Sequence, residues 1–323
     1  MTVSEALQLE SVSPGSAAMN GAQPFDLWLH QHQARAQRLI ERFVPQQHPL
    51  VPRLHEAMHY AAALGGKRVR PLLVWAAGEC VQADERALDR AACAVELVHA
   101  YSLVHDDLPC MDDDVLRRGQ PTTHVRFGEA LALLAGDALQ ALAYEVLTPE
   151  EDIAPALQAR LCALLSRASG AEGMAGGQTL DILATGGALS SDDLMNMHSR
   201  KTGALLKASV LMGAACGGFD SAHAAQTHAA LSTYGDAVGL AFQVVDDILD
   251  VTADSRTLGK TAGKDAQQNK FTYVSALGLD AARTLAQELR DKAQAALDTL
   301  PPSQRAASRR LRDLADLIVL RGY

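Results

Sequence analysis

The chain has 323 residues, 48% hydrophobic and 21% charged, enough apolar material for a large core in one big domain or two modest ones. A formal net charge of −9 excludes a broad nucleic-acid footprint, which needs a basic surface, but leaves room for local basic clusters. The cysteines (Cys80, Cys93, Cys110, Cys162 and Cys216) are odd in number and form no CxxC, which argues against a disulfide framework or a zinc site and for a reducing compartment.

Residues 1–24, rich in Ser, Gly and Ala, read as a loose N-terminal tail, and they lack the basic region and apolar run of a signal or transit peptide. Residues 25–323 read as one all-α domain of about ten helices: Ala and Leu dominate, and no two-residue alternation stands out. Helices are expected over 26–43, 50–64, 68–82, 85–108, 126–148, 152–170, 191–217, 227–252, 271–297 and 303–320. The stretches LGGK, RRGQP, AGGQ, TGGA, TLGKTAGKD and LPPS read as breaks. No run of about 18 apolar residues stands out, so no membrane span is expected.

The helix over 85–108 carries an apolar face (Leu88, Ala91, Val95, Val98) and runs into HDDLPCMDDDVLRRG, with five aspartates between positions 106 and 114. Pro109 cannot donate to the carbonyl of His105, so the helix should kink or end there, with Asp106 and Asp107 on its last turn. Periodicity does not settle which of Asp112, Asp113 and Asp114 faces the same way. The helix over 227–252 has a second cluster, FQVVDDILD. Asp246 and Asp250 lie four apart and Asp247 and Asp250 three apart, so all project near one face, which Gly239 and Gln243 continue.

Neither cluster has the interleaved lysines of an ordinary solvated acidic helix. Carboxylates without His or Cys suit a hard cation, Mg²⁺ above all, which tends to bind one or two carboxylates together with substrate phosphates. An EF-hand loop is excluded, because counting from Asp112 the sixth position is Arg117 and not Gly. A Walker A loop fails because TLGKT would need Gly at position 254.

Cationic residues fall in separate groups: GGKRVRP (Lys67, Arg68, Arg70), Arg117 with Arg118, RKTG (Arg200, Lys201) and LGKTAGKD (Lys260, Lys264). Any one group alone reads better as surface charge than as a site, and Arg68 is given that reading.

Together these residues resemble the short-chain trans-isoprenyl diphosphate synthases, closest to their bacterial-type farnesyl diphosphate synthases. The blocks that carry the resemblance run from about Leu64 to Tyr273: GGKRVRP, ELVHAYSLVHDDLPCMDDDVLRRGQPTTH, FGEALALLAGDAL, GGQTLD, HSRKTGALL, GLAFQVVDDILD and LGKTAGKD. The resemblance implies a helical bundle around a central cavity, across which the two aspartate motifs face each other. It implies Mg²⁺ held by Asp106, Asp107, Asp112, Asp246, Asp247 and Asp250, gripping the diphosphate of an allylic substrate.

Arg117, Lys201 and Lys260 would stabilise the departing diphosphate, and the oxygens of Thr202 and Gln243 the allylic cation. Isopentenyl diphosphate would bind separately through Lys67, Arg70, His99 and Arg118, although His99 alone would read as a core histidine. The released diphosphate would take the proton. Tyr101, about one and a half turns before Asp106, with Ser102 beside it, would form the floor that limits chain length; Tyr101 also reads as a plain core residue.

The implied activity is condensation of isopentenyl diphosphate with dimethylallyl and geranyl diphosphate to farnesyl diphosphate, in a cytoplasmic homodimer. Geranyl or geranylgeranyl diphosphate as product, and a non-catalytic regulatory subunit, are the alternatives; the second should have lost aspartates from one motif. Val115 stands where relatives often carry a further Asp, and Val274 where they often carry Pro; the two termini match poorly.

Overall fold

The computed structural model describes residues 23–44, 46–184, 190–217, 223–252 and 271–320. It is built from helices: α1 (Phe25–Phe43), α2 (Pro52–Ala63), α3 (Val69–Cys80), α4 (Glu85–Asp106), α5 (Thr123–Phe127), α6 (Glu129–Leu147), α7 (Pro155–Ser169), α8 (Met174–Ala184), α9 (Ser191–His198), a π-helical turn (Ser199–Gly203), α10 (Ala204–Ala215), α11 (Ala224–Thr252), α12 (Tyr273–Leu277), α13 (Leu279–Asp298), α14 (Pro302–Ala307) and α15 (Arg309–Leu320). After α4, β1 (Leu116–Arg117) and β2 (Gln120–Pro121) form a short antiparallel hairpin with Leu116 opposite Pro121. Of the tail, residues 1–22 lie outside the described residues, as do the whole of TGGA and the whole of LGKTAGKD, including Lys260 and Lys264.

Local chemistry sets the helix ends. Asp84 caps α4 by accepting from the backbone N–H groups of Arg86 and Ala87. Prolines open α2, α7 and α14, where their missing N–H costs nothing. Three expected helices are each divided in two. Gly128 and Gly278, both at positive φ, turn the chain between α5 and α6 and between α12 and α13, and Ser308 separates α14 from α15.

The main apolar core cluster runs from Trp28 to Ile318, and a second joins α11 to α13 through Val244, Val245, Ile248, Ala282 and Ala286. At the centre of the first, α4 is buried nearly all round, because its run of alanines lets α3, α6 and α10 approach closely. α10 also packs on α7 and α11, and α11 packs along α13. Both tryptophans satisfy their ring N–H, Trp28 on Glu79 and Trp75 on Asp89. Among the described residues, α6 is long and apolar enough to cross a membrane by length and composition, which the sequence reading missed; here its Ala132, Ala135, Leu139 and Ala143 are buried, and it packs on α4 and α2.

The stretch AGGQ, expected as a break, lies inside α8. Its glycines serve close packing: a Cβ on Gly177 would stand 2.1 Å from the backbone nitrogen of Lys201. Arg68, expected as a surface charge, is instead buried, and its Nη1 donates to Glu96 at 2.6 Å.

Candidate active site

The first acidic motif is folded by Pro109. α4 stops at Asp106, and the chain doubles back so that the N–H of Asp112 donates to the carbonyl of Asp106 at 2.9 Å. Asp106, Asp112 and Asp114 thereby line one cavity of about 640 Å³. Asp113, in a left-handed conformation, is exposed and does not line it. Asp107 stands behind this wall, buried, with both oxygens held by the guanidinium of Arg117.

The second motif reaches the same cavity from α11, through Asp246, Asp247 and Gln243. α11 crosses the π-helical turn at a pair of glycines. A Cβ on Gly239 would lie 2.8 Å from the Cα of Gly203, so only glycine permits the approach. That contact brings Thr202 within 3.0 Å of Gln243, and a relay of hydrogen bonds follows. The Thr202 hydroxyl donates to Gln243, Gln243 Nε2 donates to Asp247 at 2.8 Å, and the Tyr273 N–H donates to the other Asp247 oxygen at 2.8 Å. Asp250, one turn on, is buried and does not line the cavity.

Lys201 also lines the cavity, and its Nζ meets Asp181 of α8 at 2.5 Å. Asp181 is the aspartate of GGQTLD, a block that marked the resemblance without suggesting a role for this residue. Asp106 sits deep in the protein although it faces the cavity. Burial raises its carboxyl to about 6; Lys201 and Arg117 work against that rise, while Asp112 and Asp107 add to it. A cluster so placed is suited to a bound cation.

A second cavity, about 480 Å³, adjoins the first and shares Arg70, His99, Arg118, Phe242 and Asp246 with it. Lys67, Arg68 and Glu96 complete its polar wall. The guanidinium of Arg118 lies over Gly66, where any Cβ would collide with it, and donates to the carbonyl of Gly65. Burial pulls Arg70 down to about 10. Burial, then Arg70 and Arg118, hold His99 well below its ordinary range, so the ring is neutral at pH 7. Tyr101 and Ser102 line the first cavity from α4; the Ser102 hydroxyl donates to the His99 carbonyl at 2.9 Å, and the Tyr101 ring packs edge-on against His105.

Residues 51–301 match the polyprenyl synthetase family. The chain belongs to that family. It is 46% identical over 293 residues to the farnesyl diphosphate synthase of Escherichia coli, covering 89% of this chain and 95% of that one. It is 48% identical over 257 residues to geranylgeranyl pyrophosphate synthase 11 of Arabidopsis thaliana, covering 77% and 70%. A crystal structure of the Helicobacter pylori geranyltransferase, complexed with magnesium and isoprenyl diphosphate, superposes with a TM-score of 0.78 at 32% identity, covering 92% and 98%. As a polyprenyl synthetase, the protein is a prenyltransferase enzyme with the all-α fold of isoprenyl diphosphate synthases.

Proposed function

We propose that this polyprenyl synthetase condenses isopentenyl diphosphate head-to-tail with dimethylallyl and then geranyl diphosphate, giving farnesyl diphosphate with Mg²⁺ as cofactor. The observation that carries the reading is the division of one site into two joined compartments. Carboxylates from α4 and α11 face the first, and the second is walled mainly by the cations Lys67, Arg68, Arg70 and Arg118, with Asp246 at the junction of the two.

Asp106, Asp112 and Asp246 offer only hard oxygen donors, which fits Mg²⁺. Mg²⁺ takes one or two carboxylates and completes its shell with phosphate oxygens and water, which this cavity leaves room for. Asp107 orients Arg117 from behind the wall, and Asp247, itself on the cavity, orients Gln243. Mg²⁺ in this cavity would neutralise the allylic diphosphate and the charge that builds on it as the carbon–oxygen bond breaks.

The side chains do the rest. Arg117 and Lys201 add fixed positive charge toward the departing diphosphate, with Lys260 as a third contributor from outside the described residues. Because the Thr202 proton is spent on Gln243, the Thr202 oxygen keeps its lone pairs for the allylic cation. Lys67, Arg70 and Arg118 bind isopentenyl diphosphate in the second compartment, with neutral His99 as a hydrogen-bonding partner. Its double bond then attacks the cation, and the released diphosphate accepts the proton. Tyr101 sets the floor for the growing tail.

The proposed assembly is a cytoplasmic homodimer of one-domain subunits. The exposed Leu133 and Leu134 on α6 support a second copy there. The reaction is tested by supplying Mg²⁺, isopentenyl diphosphate and dimethylallyl diphosphate, then dephosphorylating and identifying the alcohols. Farnesol is expected. Geraniol or geranylgeraniol would overturn the product, and no condensation would overturn the reaction.

A further inference from the structure

The second cavity contains a carboxylate where an anion site would ordinarily exclude one. Glu96 is almost wholly buried in its wall, among Lys67, Arg68, Arg70 and Arg118. One oxygen, Oε1, accepts from Arg68 at 2.6 Å. Arg68 is itself pinned: its Nη2 donates to the side chain of Gln37 and to the carbonyl of Ala62, both at 3.0 Å. The carboxylate is therefore tied to α1 and α2 as well as to α4. Its other oxygen, Oε2, is buried without a hydrogen-bond partner among the described residues, and so is the Nε of Arg70. An acceptor lacking a donor and a donor lacking an acceptor thus line one pocket. Each alone is costly, because burial removes the water that would otherwise satisfy it.

We propose that Glu96 is the positioning residue of the anion pocket. Anchored by Arg68, it receives Arg70 Nε on Oε2 when a diphosphate enters, and so aims the terminal nitrogens of Arg70 at the phosphate oxygens. This rests on the reading of the second cavity as the isopentenyl diphosphate site. Two effects of the carboxylate oppose each other. Its charge weakens the pull of the pocket on an anion, while its hydrogen bond fixes the guanidinium fork that gives Arg its bidentate hold on phosphate. The geometry favours the second, because a counter-charge alone would not require the Arg68 anchor.

The test is calorimetric binding of isopentenyl diphosphate in EDTA, where a metal-dependent allylic site is silent. Glu96→Gln keeps the shape and the Arg68 contact but turns an amide toward Arg70. It is expected to weaken binding about tenfold, the scale of one charge-assisted hydrogen bond. In an Arg70→Lys background, which has no Nε, the same change should have little further effect. In turnover the KM for isopentenyl diphosphate should rise while that for dimethylallyl diphosphate holds, a split that general loosening of the fold would not give.

Equal or tighter binding by Glu96→Gln overturns the proposal and leaves Glu96 a simple counter-charge. Failure of the unaltered protein to bind in EDTA overturns the pocket reading itself, whatever the condensation assay shows. Should Glu96→Gln not fold, Arg68→Lys, which frees the anchor, carries the same expectation.

Discussion

Arg117 clasps Asp107 through three hydrogen bonds of 2.6–3.0 Å, and the aspartate is buried. The second aspartate of the first motif is therefore the partner that fixes Arg117 at the edge of the cavity. Arg117→Ala would leave Asp107 buried without its counter-charge, and loss of about 3 kcal/mol of stability is expected together with loss of activity. Arg117→Lys should recover much of the stability but little of the rate, since a point charge cannot replace the guanidinium fork. Thermal unfolding and condensation rate, measured on both variants, check this.

Gly177 packs α8 directly against the π-helical turn. Gly177→Ala should push Lys201 and Thr202 out of place while the helices remain folded. A shift near 1 Å at reacting groups costs about 10²-fold in rate. A kcat within a few-fold of the parent would show that this contact does not set the positions of those two residues.

Tyr101 lines the cavity just below the first motif. Tyr101→Ala should deepen the cavity and move the main product toward geranylgeranyl diphosphate. Analysis of the dephosphorylated alcohols reads this directly, and an unchanged distribution removes Tyr101 as the floor.

His99 gives a pH dependence of definite sign. Its folded pKa is depressed, by burial first, below the ordinary 6.5. Below pH 6.5 the unfolded chain takes up a proton that the folded ring refuses. The contribution to stability is therefore present above pH 6.5 and lost as pH falls toward the folded pKa. The melting temperature should drop between pH 7.5 and pH 5.5, and His99→Gln should reduce that drop. An identical drop in the variant would mean that other groups, such as the half-buried His32, account for it.

Much of this was legible in the sequence, because helix periodicity and the chemistry of the aspartates act locally. Pro109 ended α4 as expected, and the FQVVDDILD register placed Asp246 on the cavity. Glycine misled where its function is spatial. AGGQ looks like a chain break, yet Gly177 belongs to a helix whose neighbour is 24 residues further on, at Lys201. Arg68 misled for a related reason. Its partner Glu96 is distant in sequence, and nothing near Arg68 indicates burial. The π-helical turn across SRKTG was equally hidden, and its last residue, Gly203, packs on Gly239, which is distant in sequence.

In the proposed reaction α4 and α11 act on one diphosphate. Calorimetric titration of inorganic diphosphate in the presence of Mg²⁺, against the parent protein, Asp106→Asn and Asp246→Asn, tests it most directly. Each single substitution is expected to weaken binding at least tenfold, and the pair together to cost less than the sum of the two, because both serve the same ligand. Two independent losses, or a variant in either helix that binds as the parent does, would contradict it.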